Sequence, residues 1–299
     1  MVEQKNLDIL IKLSEQEEKT FSEFIKLKRN KLISSPKDNA KKATEHHKEY
    51  IYHLLDEMKI SQVILYLREL AYNEYLKEEA IFNGVILKEL STKFDTPKEI
   101  ITVLTQQIVN ESFEDKALIK NKLISLVGDY ATYISPYIYQ LCLSNTQSRR
   151  SRAGKTFEGI IYYLYEHFGY PFDSQAQVGR KAFSALGLGK VVDSILPSVK
   201  AFNERRDKTI IGSMKTTLRE RWQEVVEEVS RSNIPNIYLL TVDEDISENK
   251  AIQMGAHNIV LVVLEEVKKQ PHLREKRSVI DFETYFSEEI LAIQKYWSK

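Results

Sequence analysis

Apolar residues recur every three to four positions through the first half of the chain, in Leu7, Leu10 and Ile11 and again in Phe21, Phe24 and Ile25. This predicts helix over almost all of residues 1–145. Ser34-Ser35-Pro36 predicts the end of the first helical stretch, and the charged run 37–49 the start of the next. The period continues over 65–90, with breaks expected at Asn83-Gly84 and at Asp95-Thr96-Pro97, where Thr96 would cap a new helix and Pro97 open it. Beyond residue 148 the texture changes. Short β-branched and aromatic runs at 191–196, 209–214, 237–242 and 259–264 are too short for helices and are bounded by turn residues. They alternate with helical patterns at 157–168, 181–186, 218–230, 246–254 and 281–297. Such alternation predicts an α/β architecture, a central mixed sheet with helices on its faces, preceded by an all-helical N-terminal domain. The expected division is a helical domain at residues 1–145 and an α/β domain at residues 146–299.

Composition narrows the class. A chain of 299 residues can bury a substantial core, and ten glycines and seven prolines against 29% charged residues exclude collagen-like and low-complexity sequence. The single cysteine, Cys142, excludes an internal disulfide and a cysteine-built zinc site, which suits a reducing cytoplasm. The longest apolar runs, such as 259–264, have six residues, and the N-terminus lacks a basic region followed by an apolar one. Neither a membrane span nor a signal peptide is expected. Forty-three basic side chains balance 43 acidic ones, yet residues 148–222 carry 14 Lys and Arg against 7 Asp and Glu. That local excess points to a polyanion site or, at its plainest, to a solvated charged surface.

Three charged positions stand out once the strands are placed. Asp193 interrupts the apolar run Val191-Val192-Asp193-Ser194-Ile195-Leu196, Lys215 follows the run ending at Met214, and Glu228 lies 13 residues later on the next helix. A carboxylate in a buried strand is costly unless it is paired or bound to a cation. Two carboxylates and an ammonium gathered at strand ends would make a hard-cation site beside a charge-stabilising lysine, as metal-assisted phosphodiester hydrolysis requires. Taken singly, each is equally an ordinary surface charge. Leu218, Trp222, Val225, Val226 and Val229 form the apolar stripe of the helix after Lys215, so Arg219, Glu220 and Arg221 project elsewhere from its first turn. Thr217 followed by Glu220 is a capping-box pattern. Two arginines at a helix N-terminus oppose the macrodipole, however, and call for an anionic or electron-rich partner. Guanine offers O6 and N7 to arginine and cytosine offers its N4 donor to glutamate, so an Arg-Glu-Arg triplet in the major groove would read adjacent G·C pairs. Upstream, Gln147, Arg149, Arg150, Arg152 and Lys155 read as a basic loop entering an amphipathic helix through Phe157, Ile160, Ile161 and Leu164. Such a loop suits phosphates, and equally a flexible linker.

Taken together, the segment Ser151-Arg-Ala-Gly-Lys-Thr-Phe-Glu158, the in-strand Asp193, the stretch Ser213-Met-Lys215-Thr-Thr-Leu-Arg219-Glu220-Arg221 and Glu228 resemble the PD-(D/E)xK type II restriction endonucleases that recognise a CC/GG core, the relatives of SsoII, PspGI, EcoRII and NgoMIV. In that group the second active-site acid has moved from two positions before the lysine onto the next helix; Ser213 occupies the vacated place and Glu228 the new one. The resemblance implies a restriction-endonuclease-like mixed sheet flanked by helices and Mg²⁺-dependent hydrolysis of double-stranded DNA at a palindromic CCGG or CCNGG type site. It further implies that Asp193 and Glu228 hold Mg²⁺, Glu228 through water, that Lys215 orients the attacking water and stabilises charge, and that Glu158 completes the acidic cluster. Arg219, Glu220 and Arg221 would read the CC/GG edges, Gln147 would contact the minor groove, and Arg149 and Arg152 would contact phosphates. A palindrome implies a homodimer or higher homo-oligomer, in a host whose own sites a companion methyltransferase protects. A central base, if flipped, would need an aromatic platform, for which Phe94 is one of many candidates.

Asp243 and Asp245 follow the 237–242 run and are read first as loop and cap residues. His46, His47 and His53 form no coherent ligand set. Two further readings stay open on the residues alone: a structure-specific repair nuclease of the same fold, and a non-catalytic DNA-binding protein.

Overall fold

The computed structural model describes residues 12–109, 116–189, 191–219, 222–232 and 234–298. The chain forms two compact units, one of residues 1–35 and 73–151, the other of residues 36–72 and 152–299. In order come α1 (Glu15–Leu32), α2 (Pro36–His46), α3 (Lys48–Asp56), α4 (Ile60–Lys93), α5 (Asp95–Val109), α6 (Lys116–Tyr133) and α7 (Ser135–His167). The sheet region follows with β1 (Asp173–Ser174), α8 (Gln175–Val178), α9 (Arg180–Ala185), β2 (Ser194–Leu196), α10 (Val199–Glu204), β3 (Ile210–Lys215), α11 (Trp222–Ser232) and β4 (Ile237–Thr241). It closes with α12 (Glu248–Ala256), β5 (Ile259–Val263), α13 (Glu265–Lys268), β6 (Val279–Asp281), α14 (Phe282–Thr284) and α15 (Ile290–Trp297).

Among the described residues six strands form one mixed sheet in the order β1-β2-β3-β4-β5-β6. The first three pair antiparallel and β3 to β6 run parallel. Parallel strands must be covered on both faces, and β3, β4 and β5 are accordingly almost wholly buried. One core joins Ile211, Leu239, Leu261 and Val262 of the sheet to Phe157, Ile160 and Leu164 of α7 and to Leu54, Ile60 and Ile64. The helical unit has its own core around Phe21, Tyr75, Phe82, Ile86, Leu104 and Tyr137.

Four local expectations are corrected. α4 runs unbroken through Asn83-Gly84 because Phe82, Ile86 and Leu90 are fully buried and Asn83 accepts a hydrogen bond from Asn145. Those gains outweigh the ~1 kcal/mol that a helical glycine costs. α5 begins at Asp95, so Thr96 sits inside its first turn and donates its hydroxyl to Glu17. The basic stretch 147–155 is not a loop: it continues α7, since glutamine, arginine and lysine are good helix formers and Arg149 is held by Glu79. The helix expected from 218 begins at Trp222, and Arg219 lies in the preceding turn. Leu7, Leu10 and Ile11 lie outside the described residues.

Candidate active site

Asp193 immediately precedes β2, and its backbone extends the ladder: its N–H donates to Gly212 O at 2.8 Å and its carbonyl accepts from Gln175 N at 3.0 Å. The β2–β3 register ends at Ser194 opposite Gly212. Met214 N lies beyond it and needs an acceptor, which the Asp193 carboxylate supplies through Oδ2 at 2.6 Å. Extending the register by one residue puts Ser213 opposite Asp193, and strand alternation puts Lys215 on the same face. Ser213 Oγ is buried without a hydrogen-bond partner among the described residues, at the position where an acid two before the lysine would stand. Gly212 permits the close pairing, since a Cβ there would lie 2.5 Å from Ser194 Oγ.

Lys215 Nζ stands 3.8 Å from Asp193 Oδ2, with both side chains about 15% exposed, at 15% and 14%. Burial pushes the Asp193 carboxyl above the usual carboxylate range, against the pull of Lys215 and of the Met214 N–H. Glu158, on α7, joins the same field. Burial first, and then the charge of Asp193, push its carboxyl up to about 7, while Lys215 and Lys155 act in the opposite direction. Tyr162 lies one turn after Glu158, and its hydroxyl donates to Asp193 O at 3.0 Å while its ring stacks on Phe172. Burial, followed by the charges of Asp193 and Glu158, raises the Tyr162 phenol well above its ordinary value, so it remains a donor.

The structure thus brings Asp193, Lys215 and Glu158 together. Glu228 is buried on α11, but the partners described for it are Gly189 N, Arg231 Nη2 at 2.8 Å and Ser232 Oγ at 2.6 Å; none of these is a member of that trio. A Cβ at Gly189 would meet the Glu228 carboxylate and the Arg231 guanidinium, so glycine lets both side chains lie against the backbone here. Arg219 is exposed and has a positive φ of 36°. Glu220 and Arg221 lie outside the described residues. Gln147 is exposed on α7 in the helical unit, where Arg149 grips the buried Glu79 through Nε and Nη2. Arg152, also on α7, belongs to the sheet-bearing unit.

Sequence reasoning missed Tyr162 and Gln175, although spacing signals the first, because residues 158 and 162 share a helix face. Gln175 donates through Nε2 to Val192 O at 3.2 Å, so backbone and side chain together clamp the segment before β2.

Two carboxylates held high by burial, Glu158 further by the charge of Asp193, beside Lys215 form a donor set that fits a hard divalent cation taking one or two carboxylates plus water and phosphate. Among the described residues no group of three His, Cys, Asp or Glu side chains is arranged to hold a metal. No described helix is long and apolar enough to cross a membrane.

Comparison with known proteins carries the geometry further. The type II restriction enzyme SsoII of Shigella sonnei is 42% identical over 157 residues, which are 52% of this chain and 51% of that one, so the match spans about half the length of that curated relative. The structure of metal-depleted Ecl18kI in complex with uncleaved, modified DNA superposes with a TM-score of 0.74 at 28% identity, over 94% of this chain and 86% of that chain. A PspGI–substrate DNA complex shares the fold, with a TM-score of 0.59 at 20% identity over 88% of this chain and 94% of that one. The restriction-endonuclease-like fold is therefore shared by enzymes whose DNA-bound structures resemble this one. Residues 106–286, which span α7, Asp193, Lys215 and the parallel strands, match the family described as EcoRII C terminal, and the chain belongs to that family.

Proposed function

We propose that the protein is a Mg²⁺-dependent type II restriction endonuclease that hydrolyses double-stranded DNA at a palindromic site with a CC/GG core, CCGG or CCNGG in type, leaving 5′-phosphate and 3′-hydroxyl ends. The observation that carries this reading is the convergence of Asp193, Lys215 and Glu158 at the β2–β3 edge and on α7, with both carboxyls held above their usual range. Asp193 and Glu158 would hold the ion, which when bound supplies Lewis-acid stabilisation of the phosphate. Lys215 stabilises charge developing on the phosphate and orients water for in-line attack. Without a bound ion, burial and then the charge of Asp193 push the Glu158 carboxyl up to about 7, and an ion held by that carboxylate would favour its ionised form. For Glu228 to serve as a further acid it must exchange its bonds to Gly189, Arg231 and Ser232.

Arg219, with Glu220 and Arg221, reads the G·C pairs, and Gln147 and Arg152 contact the duplex. Residues 1–145 would carry outer contacts or assembly, while 146–299 would carry recognition and chemistry. A palindrome needs two symmetry-related readers, so the working form is a homodimer or higher homo-oligomer. The test is incubation of the protein with plasmid DNA and Mg²⁺. Discrete fragments ending at CC/GG sites are expected, and they should disappear with EDTA or with Asp193→Ala. A smear of products would point to a shape-reading nuclease, and specific retention without cutting to a binding protein.

A further inference from the structure

We infer that Asp243 is a positioning residue for specificity, fixing the DNA-reading turn relative to the catalytic lysine; this rests on the endonuclease reading above. Lys215 ends β3 and pairs with Thr241 of the parallel strand β4. Two residues beyond Thr241, Asp243 turns its carboxylate back to the β3 side, where Oδ2 accepts from Leu218 N at 2.7 Å. The carboxylate is itself held: Asp243 N donates to Thr241 Oγ1 at 3.1 Å, and Asp245 N donates to Asp243 Oδ1 at 3.2 Å. The acceptor is therefore set in place by β4, and the turn is drawn to it.

The donor side is equally restricted. Leu218 is fully buried, so its side chain and its N–H together fix this point of the chain. The next residue, Arg219, leaves the turn at a φ of 36°, a backbone conformation that a side-chain-bearing residue keeps only where its surroundings impose it. Arg219 is exposed, so no burial of its own supplies that constraint. The two described anchors immediately before it are the Leu218 side chain and the bond to Asp243. A bidentate arginine discriminates bases only while its approach is fixed, so releasing the Leu218 N–H should blunt discrimination and leave the acid–lysine cluster intact.

The experiment measures binding in metal-free buffer to the duplex that the wild-type protein cuts and to the same duplex with its G·C pairs inverted, for wild type, Asp243→Ala and Asp243→Asn. The ratio of the two affinities should fall by roughly ten- to a hundredfold in Asp243→Ala, the range expected for one misread base pair, and less in Asp243→Asn, which keeps one acceptor. Affinity for the inverted duplex should move little, and the unfolding midpoint should fall by no more than the loss of one backbone hydrogen bond allows. Should Asp243→Ala fail to fold, the Asn variant decides on the same ratio. An unchanged ratio, or parallel loss on both duplexes, would overturn the inference and leave Asp243 a loop staple. A wild-type protein that neither cuts nor discriminates would instead overturn the parent reading, and this inference with it.

Discussion

Each compact unit sets a cation against a shielded carboxylate, and the two pairs come out opposite. In the helical unit Arg149 grips Glu79 with two nitrogens and Tyr75 adds its hydroxyl; burial raises the Glu79 carboxyl, but these bonds prevail and hold it below the usual range. In the sheet-bearing unit Lys215 stands 3.8 Å from Asp193, and burial prevails, so the Asp193 carboxyl lies above that range. The difference is geometric. A planar guanidinium matches a carboxylate and satisfies it, whereas an ammonium at ion-pair distance leaves much of the desolvation uncompensated. Only the second arrangement leaves a demand for further positive charge, which is what suits it to the proposed cation and phosphate and the first to a structural clamp.

The comparison breaks most readily through activity. Lys215→Ala should lower the cleavage rate by about 10²–10³-fold, as removal of a preorganised charge-stabilising group does elsewhere. Asp193→Ala should cost at least as much, and both variants should still bind the cognate duplex without metal. Single-turnover cleavage with a gel-shift control checks this; loss of binding alongside cleavage would mean that the pair holds the fold. Arg149→Ala should show the reverse. It leaves the buried Glu79 carboxylate with the Tyr75 hydroxyl and the more distant charge of Arg29, and should cost about 2 kcal/mol in urea unfolding, while the folded fraction cuts at a near wild-type rate. A variant of normal stability that no longer cuts would return Arg149 to the DNA-contacting role that its sequence neighbourhood implies.

How far the sequence could see follows the same division. Asp193 and Lys215 were legible because a strand must alternate and an acid inside an apolar run is conspicuous. The short strands β1 and β6, of two and three residues, carry no periodicity and escaped notice. The stretch around Arg149 was misread as a loop, because its partner Glu79 lies 70 residues away and no local rule announces it. Glu228 was placed by spacing, but spacing does not reveal that Gly189 and Ser232 occupy its carboxylate. Pairing between residues distant in sequence, Glu79 with Arg149 and Gly189 with Glu228, decided the last two cases.

The raised Glu158 carboxyl gives a pH signature with the opposite sign to that of Glu79. An unfolded glutamate loses its proton near 4.5, whereas Glu158 in the fold keeps it until about 7. Between those values the folded state binds more protons, so without metal its stability should decline as pH rises, by about 1–2 kcal/mol after allowance for solvent screening. Glu79, held low, instead contributes stability above pH 4.5 that is lost as pH falls through its folded value. Urea unfolding in EDTA at pH 5 and pH 8 separates them: Glu158→Gln should make the decline toward pH 8 shallower, leaving the share of Asp193 and Glu283, which are also held high, and Glu79→Gln should leave it unchanged. A Glu158→Gln profile parallel to that of the wild type would show that Glu158 is ionised throughout that range.

Tyr162→Phe offers the mildest and sharpest probe of the same site. Its hydroxyl donates to Asp193 O at 3.0 Å, but Gln175 N also bonds that carbonyl and the stack on Phe172 survives the change, so only ~1 kcal/mol of stability should be lost. The catalytic effect should show mainly in the metal requirement. With one of the three described hydrogen bonds to its backbone gone, Asp193 gains freedom and its carboxylate is presented less uniformly, so half-maximal cleavage should need several-fold more Mg²⁺ while the rate at saturating metal stays near wild type. Titrating Mg²⁺ at fixed DNA checks this. A fall in the saturated rate at an unchanged metal requirement would instead mean that Tyr162 acts on the reacting phosphate, and that Asp193 is held well enough by the strand ladder alone.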